Sequence, residues 1–216
     1  MSSLKVLSIS ALSLLLLTPS LQAKKRKQVR IADYPVADII VDRWSPRAMS
    51  GELITDQELM SLFEAARWAP SSYNGQPWRF IYAKRDTQQW YSLFNLLIDF
   101  NKQWVDKAAV LIVVVSKNNF DFNDQYSITH SFDTGAACQN LALQANEMGL
   151  VAHGMSGFDY ERAKRDLHVP EGYTVEAMFA IGKPGNKKNL PSYMQEQEVP
   201  STRKAVREFI REGSFE

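Results

Sequence analysis

The sequence is poor in the residues that build metal sites and covalent frameworks. Its 216 residues include one cysteine, Cys138, and three histidines, His130, His153 and His168. A single thiol closes no internal disulfide, and no Cys-x-x-Cys or His-x-x-x-His pair offers the ligand spacing of a structural metal. No Gly-x-Gly-x-x-Gly follows an expected strand, which excludes the dinucleotide fingerprint of a Rossmann domain. The charge is nearly balanced, with 25 basic and 24 acidic residues and a formal net charge of +1. No global field therefore draws in nucleic acid or an anionic membrane. What remains is a globular composition, 45% hydrophobic and 23% charged, in a chain long enough to bury one core unaided.

The first 23 residues stand apart. Lys5 precedes an uncharged apolar run from Val6 to Leu17, and Thr18-Pro19-Ser20-Leu21-Gln22-Ala23 follows. This order reads as a secretory signal peptide cleaved after Ala23, or as a misassigned leader. The run is short of the roughly 20 apolar residues of a membrane span, so no stable membrane association is expected once the leader is gone. Leu21 is large for its place before the cleavage point, and the cations Lys24-Lys25-Arg26-Lys27 oppose translocation. Export would place the chain in the periplasm and a misassigned start in the cytoplasm. Residues 24–35 read as a linker, and 36–216 as one domain without internal repeats.

Within that domain Val36, Ile39 and Ile40 recur at helical spacing, with Arg43 at or just past the helix end. Thr55 and Glu58 form a capping-box pair ahead of the stripe Leu59, Leu62, Phe63 and Ala66, which Pro70 ends. Trp78 to Ala83 is expected as a strand, and Gln89 to Trp104 as one helix. The unbroken apolar run Ala108 to Val115 suggests a strand buried on both faces. Ser131 to Met148 is apolar on several sides, the pattern of a central helix, with Gly135-Ala136-Ala137 permitting close approach and Gly149 as C-cap. Leu150 to Ala152 and Val175 to Ile181 read as strands flanking a helix from Asp159 to Leu167. A last helix is expected over Ser201 to Glu212. The order points to an α+β sheet flanked by helices.

Four segments could carry chemistry. In Arg43-Trp44-Ser45-Pro46-Arg47, two guanidinium groups bracket a hydroxyl in a stretch that Pro46 keeps out of helix. They could converge on a phosphate or simply decorate a helix end. Seven of the ten residues in Ala69-Pro70-Ser71-Ser72-Tyr73-Asn74-Gly75-Gln76-Pro77-Trp78 are turn formers or polar amides. They suit the edge of a heteroaromatic ring or an ordinary connection. Gly154-Met155-Ser156-Gly157-Phe158-Asp159 allows close backbone approach to a flat ligand, with Asp159 also available as an N-cap. Arg203-Lys204 at an expected helix start runs against the dipole unless an anion sits there.

These four segments, with Asp133-x-Gly135-Ala136-Ala137-x-Gln139-Asn140-Leu141-x-Leu143 and Arg203-Lys204-x-x-x-Glu208-Phe209, together resemble the nitroreductase family of FMN flavoproteins. No one motif is specific, but five in this order are, and the match runs from about Val36 to the C-terminus. The resemblance implies an α+β fold with a central mixed β-sheet and a domain-exchanged homodimer holding two FMN at its interface. It gives the FMN phosphate and polar edge to Arg43, Ser45 and Arg47, with Arg203 adding from the C-terminal side and Lys204 as a weaker candidate. It brings Pro70, Ser71, Ser72 and Asn74 from the partner subunit, and sets Met155, Ser156 and Gly157 along the ring. The activity implied is ping-pong hydride transfer from NADH or NADPH to a small-molecule oxidant such as a nitroaromatic, quinone or activated alkene. An FMN-storing protein, a flavin enzyme of other chemistry and an exported binding module without flavin are the alternatives. No side-chain nucleophile or general acid is required. The three histidines are read as structural and Cys138 as a core hydrophobe. With only Gln89 to Trp104 between the second motif and the buried strand, the lid of larger relatives is reduced here.

Overall fold

In the computed structural model, residues 30–215 are described. The expected leader at 1–23, and the expected linker as far as residue 29, lie outside them. Helices α1 (Asp38–Asp42) and α2 (Asp56–Arg67) lead to strand β1 (Trp78–Lys84), followed by α3 (Gln88–Phe94), α4 (Asp99–Val105) and β2 (Val110–Lys117). The long helix α5 (His130–Glu147) precedes β3 (Val151–Met155), α6 (Tyr160–Asp166), β4 (Tyr173–Gly182) and the short α7 (Ser192–Gln195).

The four strands lie in the order β1-β2-β4-β3. Every ladder among the described residues is antiparallel, where a mixed sheet was expected. β2 and β3 do run parallel to each other as the α5 crossover requires, but β4 is inserted between them, so no parallel pair is hydrogen-bonded. β2 is the centre of the core, as its uninterrupted apolar run demands. Val110, Ile112 and Val114 face Leu59, Leu62 and Ala66 of α2 and Ala137, Leu141 and Ala145 of α5. Leu111, Val113 and Val115 face Trp90, Leu93, Trp104 and Val105 of α3 and α4. The period-two alternation of a strand thus feeds two cores at once.

Local signals act where expected. Thr55 and Glu58 close a reciprocal capping box at the head of α2. Helix α5 ends in a Schellman motif: Gly149 sits at φ +70°, with Gly149 N–H on Asn146 O at 3.1 Å and Leu150 N–H on Ala145 O at 2.8 Å. Asp159 caps α6 by accepting from Arg162 N at 2.9 Å.

Two expected helices differ. The stretch Gln89 to Trp104 is broken at Asn95–Ile98, where Ile98 N–H bonds Gly157 O and Asp159 N–H bonds Leu96 O. Those partners are some 60 residues away, so tertiary contacts outweigh the local period. The expected helix over Ser201–Glu212 is only a 3-10 turn at Val206–Glu208. Residues 201–205 are exposed, so no buried face stabilises a longer helix.

The route into the site is set by a close packing of backbone on backbone. Ser50 N–H bonds Lys183 O and Gly185 N–H bonds Ala48 O, both at 2.9 Å. A Cβ on Gly185 would lie 2.3 Å from the carbonyl carbon of Met49. Gly185→Ala is therefore expected to cost about 1–3 kcal/mol through overpacking. A lowered urea midpoint at unchanged m-value checks this, and a wild-type midpoint would refute it.

Candidate functional site

The segment Arg43–Arg47 leaves α1 in an extended conformation and is fixed from two sides. His153 on β3 meets Pro46 O through Nδ1 at 3.1 Å. Glu198, buried, accepts from the N–H groups of both Arg47 and Ala48 at 2.7 Å. So anchored, Arg43, Ser45 and Arg47 line a cavity of about 290 Å³, which Arg203 closes from the C-terminal side. Arg43 reaches Ser45 Oγ at 3.3 Å, and Arg203 is held by Ser201 Oγ at 2.8 Å.

Arg30 completes the wall. Its guanidinium donates to Val41 O at 3.1 Å and Arg43 O at 2.9 Å. The sequence reading placed this residue in a linker, and no motif marks it. Four guanidinium groups thus line one cavity whose walls carry no carboxylate. None of the four is in an ion pair among the described residues, and Nε of both Arg30 and Arg47 is buried without a partner. Burial lowers the pKa of Arg43, and the charge of Arg203 lowers it further. Burial also lowers that of Arg30, with Arg203 and Arg43 adding. Such a donor set is complementary to an oxyanion such as a phosphate.

The other expected site residues lie elsewhere in the protomer. Pro70, Ser71, Ser72 and Asn74 belong to the loop before β1, at the opposite edge of the sheet from β3. Ser72 N–H bonds Asp133 Oδ2 at 3.0 Å, and Ser71 Oγ accepts from Gln76 N at 3.1 Å. Tyr73, Asn74 and Gln76 all have positive φ, of 50°, 54° and 46°. A non-glycine residue there costs on the order of 1–3 kcal/mol, and such strain gathers at ligand sites. Buried Asp133 also accepts from Thr129 Oγ1 at 3.1 Å, and Asn140 Nδ2 donates to Ala65 O at 3.2 Å. The polar positions of the α5 motif thus hold the strained loop and α2.

Met155 is buried in the core and Ser156 is exposed. Gly157 O accepts from Ile98 N at 3.2 Å and Asn101 Nδ2 at 2.9 Å, and a Cβ there would lie 2.7 Å from Asn101 Nδ2. The close neighbour at Gly157 is therefore the start of α4, which accounts for this glycine without a ligand. Arg203-Lys204 precede no helix, so the argument from a dipole mismatch falls. The placement of Arg203 beside Arg43 is the stronger reason to expect an anion there, and Lys204 does not line the cavity.

Of the histidines, His130 is buried in a network with Ser116 Oγ at 2.7 Å and Tyr126 OH at 3.2 Å. His168 terminates α6 at φ 53°. His153 is structural too, but it borders the arginine cavity. Burial pushes the Cys138 thiol up to about 12, which leaves it unreactive. No group of three His, Cys, Asp or Glu among the described residues could hold a metal ion. No helix among them is long and apolar enough to cross a membrane.

The family model described as Nitroreductase family matches residues 40–103 and 96–183. A solved oxidoreductase described as containing FMN is 41% identical with a TM-score of 0.84, covering 88% of this chain and 98% of that one. A nitroreductase-type protein of Desulfovibrio desulfuricans, solved in complex with FMN, is 27% identical with a TM-score of 0.65, covering 86% and 100%. YdgI of Bacillus subtilis, provisionally named an NAD(P)H nitroreductase, is 34% identical over 166 residues, 60% of this chain and 78% of its own.

Burial first, opposed by hydrogen bonds to the Pro46 and Ser45 backbone and helped by the charges of Arg47 and Arg43, brings the His153 imidazole down from 6.5 to about 4. Between those values the unfolded chain binds a proton that the folded chain excludes. Stability is thus complete above pH 6.5 and falls as the pH drops toward 4, by up to about 3 kcal/mol. In His153→Asn, which keeps a donor toward Pro46, urea midpoints at pH 7 and pH 4.5 should differ less than in the wild type. An unchanged difference would contradict the assignment.

Proposed function

We propose that this chain, which belongs to the nitroreductase family, is an FMN-dependent oxidoreductase that passes hydride from NADH or NADPH to a small electron-poor acceptor. The observation that carries this reading is the convergence of Arg43, Ser45, Arg47 and Arg203 on one carboxylate-free cavity. The name given to the solved relative that contains FMN supports it. FMN held by Arg43, Ser45, Arg47 and Arg203 would supply the redox chemistry, hydride transfer from a nicotinamide to a nitroaromatic, quinone or activated alkene.

The chain's own part is positioning and electrostatics. Arg43, Arg47 and Arg203 hold the phosphate, and Ser45 offers a hydroxyl between them. The Glu198 and His153 contacts fix the backbone that carries Arg47, so these donors are set before the ligand arrives. A guanidinium directed at the polar edge of the ring would favour its reduced, more negative form, a role for Arg43 or Arg47 in this reading. Periplasmic or cytoplasmic placement follows the fate of the leader, which N-terminal sequencing of native protein would establish.

One protomer supplies only part of such a site. A cavity of about 290 Å³ falls at the bottom of the usual range for whole cofactors, about 300–1,000 Å³. In this reading a second copy brings Pro70, Ser71, Ser72 and Asn74 against the flavin, and Met155, Ser156 and Gly157 border the ring through backbone groups. The exposure of Tyr73 at 82% and Phe132 at 80%, on the loop and on α5, supports a partner there.

Arg43→Ala and Arg47→Ala are each expected to weaken FMN binding by about 1.5–3 kcal/mol. The flavin absorbance retained on purification reads this directly, and wild-type occupancy in both variants would refute the phosphate assignment. Oxidation of NAD(P)H with menadione as acceptor separates the enzyme from an FMN-storing protein, which would stay yellow without turning over. Sedimentation should show a dimer, and a monomer with full flavin content would contradict the shared site.

A further inference from the structure

The geometry points to Arg30 as a further phosphate-binding residue, carried by the segment that precedes the family domain, and to the phosphate as the group that clasps this segment to the one carrying Arg203. This inference rests on the flavin reading for the identity of the ligand, but not for its chemistry.

Arg30 lies ten residues before the first position matched by the family model. It is nevertheless tied to the wall of the cavity through the carbonyls of Val41 and Arg43. Its Nε is buried and unpartnered, a state that costs about 1–3 kcal/mol unless a ligand supplies the acceptor. The neighbouring positive charges of Arg203 and Arg43 oppose its own, and the carboxylate of Asp42 offsets them only in part. A multiply charged anion in the cavity would compensate that net repulsion and supply the missing acceptor.

The first and last segments of the described residues also meet here. Asp33, three residues after Arg30, accepts from Val206 N at 2.9 Å, three residues after Arg203. Each terminal segment thus brings one arginine to the cavity, and one hydrogen bond joins the segments behind it. A phosphate between Arg30 and Arg203 would turn their repulsion into attraction and close this clasp. A ligand without a phosphate would leave it unsupported. Cleavage after Ala23 or a start near Val29 would both retain Arg30.

The test compares FMN with riboflavin, which lacks the phosphate, on wild type, Arg30→Gln and Arg30→Lys. Fluorescence quenching gives both affinities, and amide exchange follows residues 30–35 and Val206. The expected result is FMN weakened at least about tenfold in Arg30→Gln, riboflavin unchanged, and Arg30→Lys between the two. FMN but not riboflavin should slow exchange in both terminal segments. Wild-type FMN affinity in Arg30→Gln, or equal losses for the two flavins, would overturn the inference. Should the wild type bind neither flavin, inorganic pyrophosphate takes their place in calorimetry. Heat that depends on Arg30 would then uphold the oxyanion site while the flavin reading fails, and heat independent of Arg30 would overturn both.

Discussion

Like charges brought together from distant parts of the chain set the terms for this structure. At an effective dielectric of about 20, two unit charges a few ångströms apart repel by several kcal/mol. The fold holds four such groups around one cavity without a carboxylate on its wall. That arrangement is tolerable because the backbone beneath it is over-determined. Glu198 receives two amide hydrogens from Arg47 and Ala48, His153 binds Pro46, and Gly185 packs directly on Met49. Each of these contacts spans more than 100 residues. The core seated on β2 therefore acts on the site through a few long-range anchors, and the arginines are held where water alone would let them separate.

A second constrained element sits at the far edge of the sheet. The loop from Ser71 to Gln76 places three non-glycine residues at positive φ, and Asp133 of α5 holds it in that form. The loop and the cavity lie by the two opposite edge strands of the sheet, β1 and β3. A homodimer can set the loop of one copy against the cavity of the other. The charge-dense cavity and the strained loop then belong to the same proposed site, and the exposed aromatic rings beside the loop have a use.

Much of this was legible in local chemistry. Thr55 and Glu58 announce the head of α2, Gly149 the end of α5, and the run through Val110–Val115 the doubly buried strand, because each signal rests on near neighbours. The bracket of Arg43 and Arg47 around Ser45 was visible for the same reason, though it suited a decorated helix end as well as an anion motif. The break at Asn95–Ile98 was not, since Leu96 and Leu97 continue the apolar period and only Gly157 and Asp159 interrupt it. The expected terminal helix over Ser201–Glu212 does not form, because Phe209 and Ile210 stay exposed and find no core to enter. Arg30 and Glu198 carried no signal. Their roles come from partners that only the folded chain brings near: for Glu198 the amides of Arg47 and Ala48, and for Arg30 the side chain of Arg203.

The central claim concerns the charge state of whatever the four arginines hold. Phosphorus-31 NMR of bound FMN, followed as the pH falls from 8 to 5, reads it directly. A free phosphate monoester takes up its second proton near pH 6. Enclosed by Arg30, Arg43, Arg47 and Arg203, the bound phosphate should remain a dianion, with a constant shift to pH 5. A resonance that titrates near pH 6, as in free FMN, would show that the guanidinium groups do not meet around it.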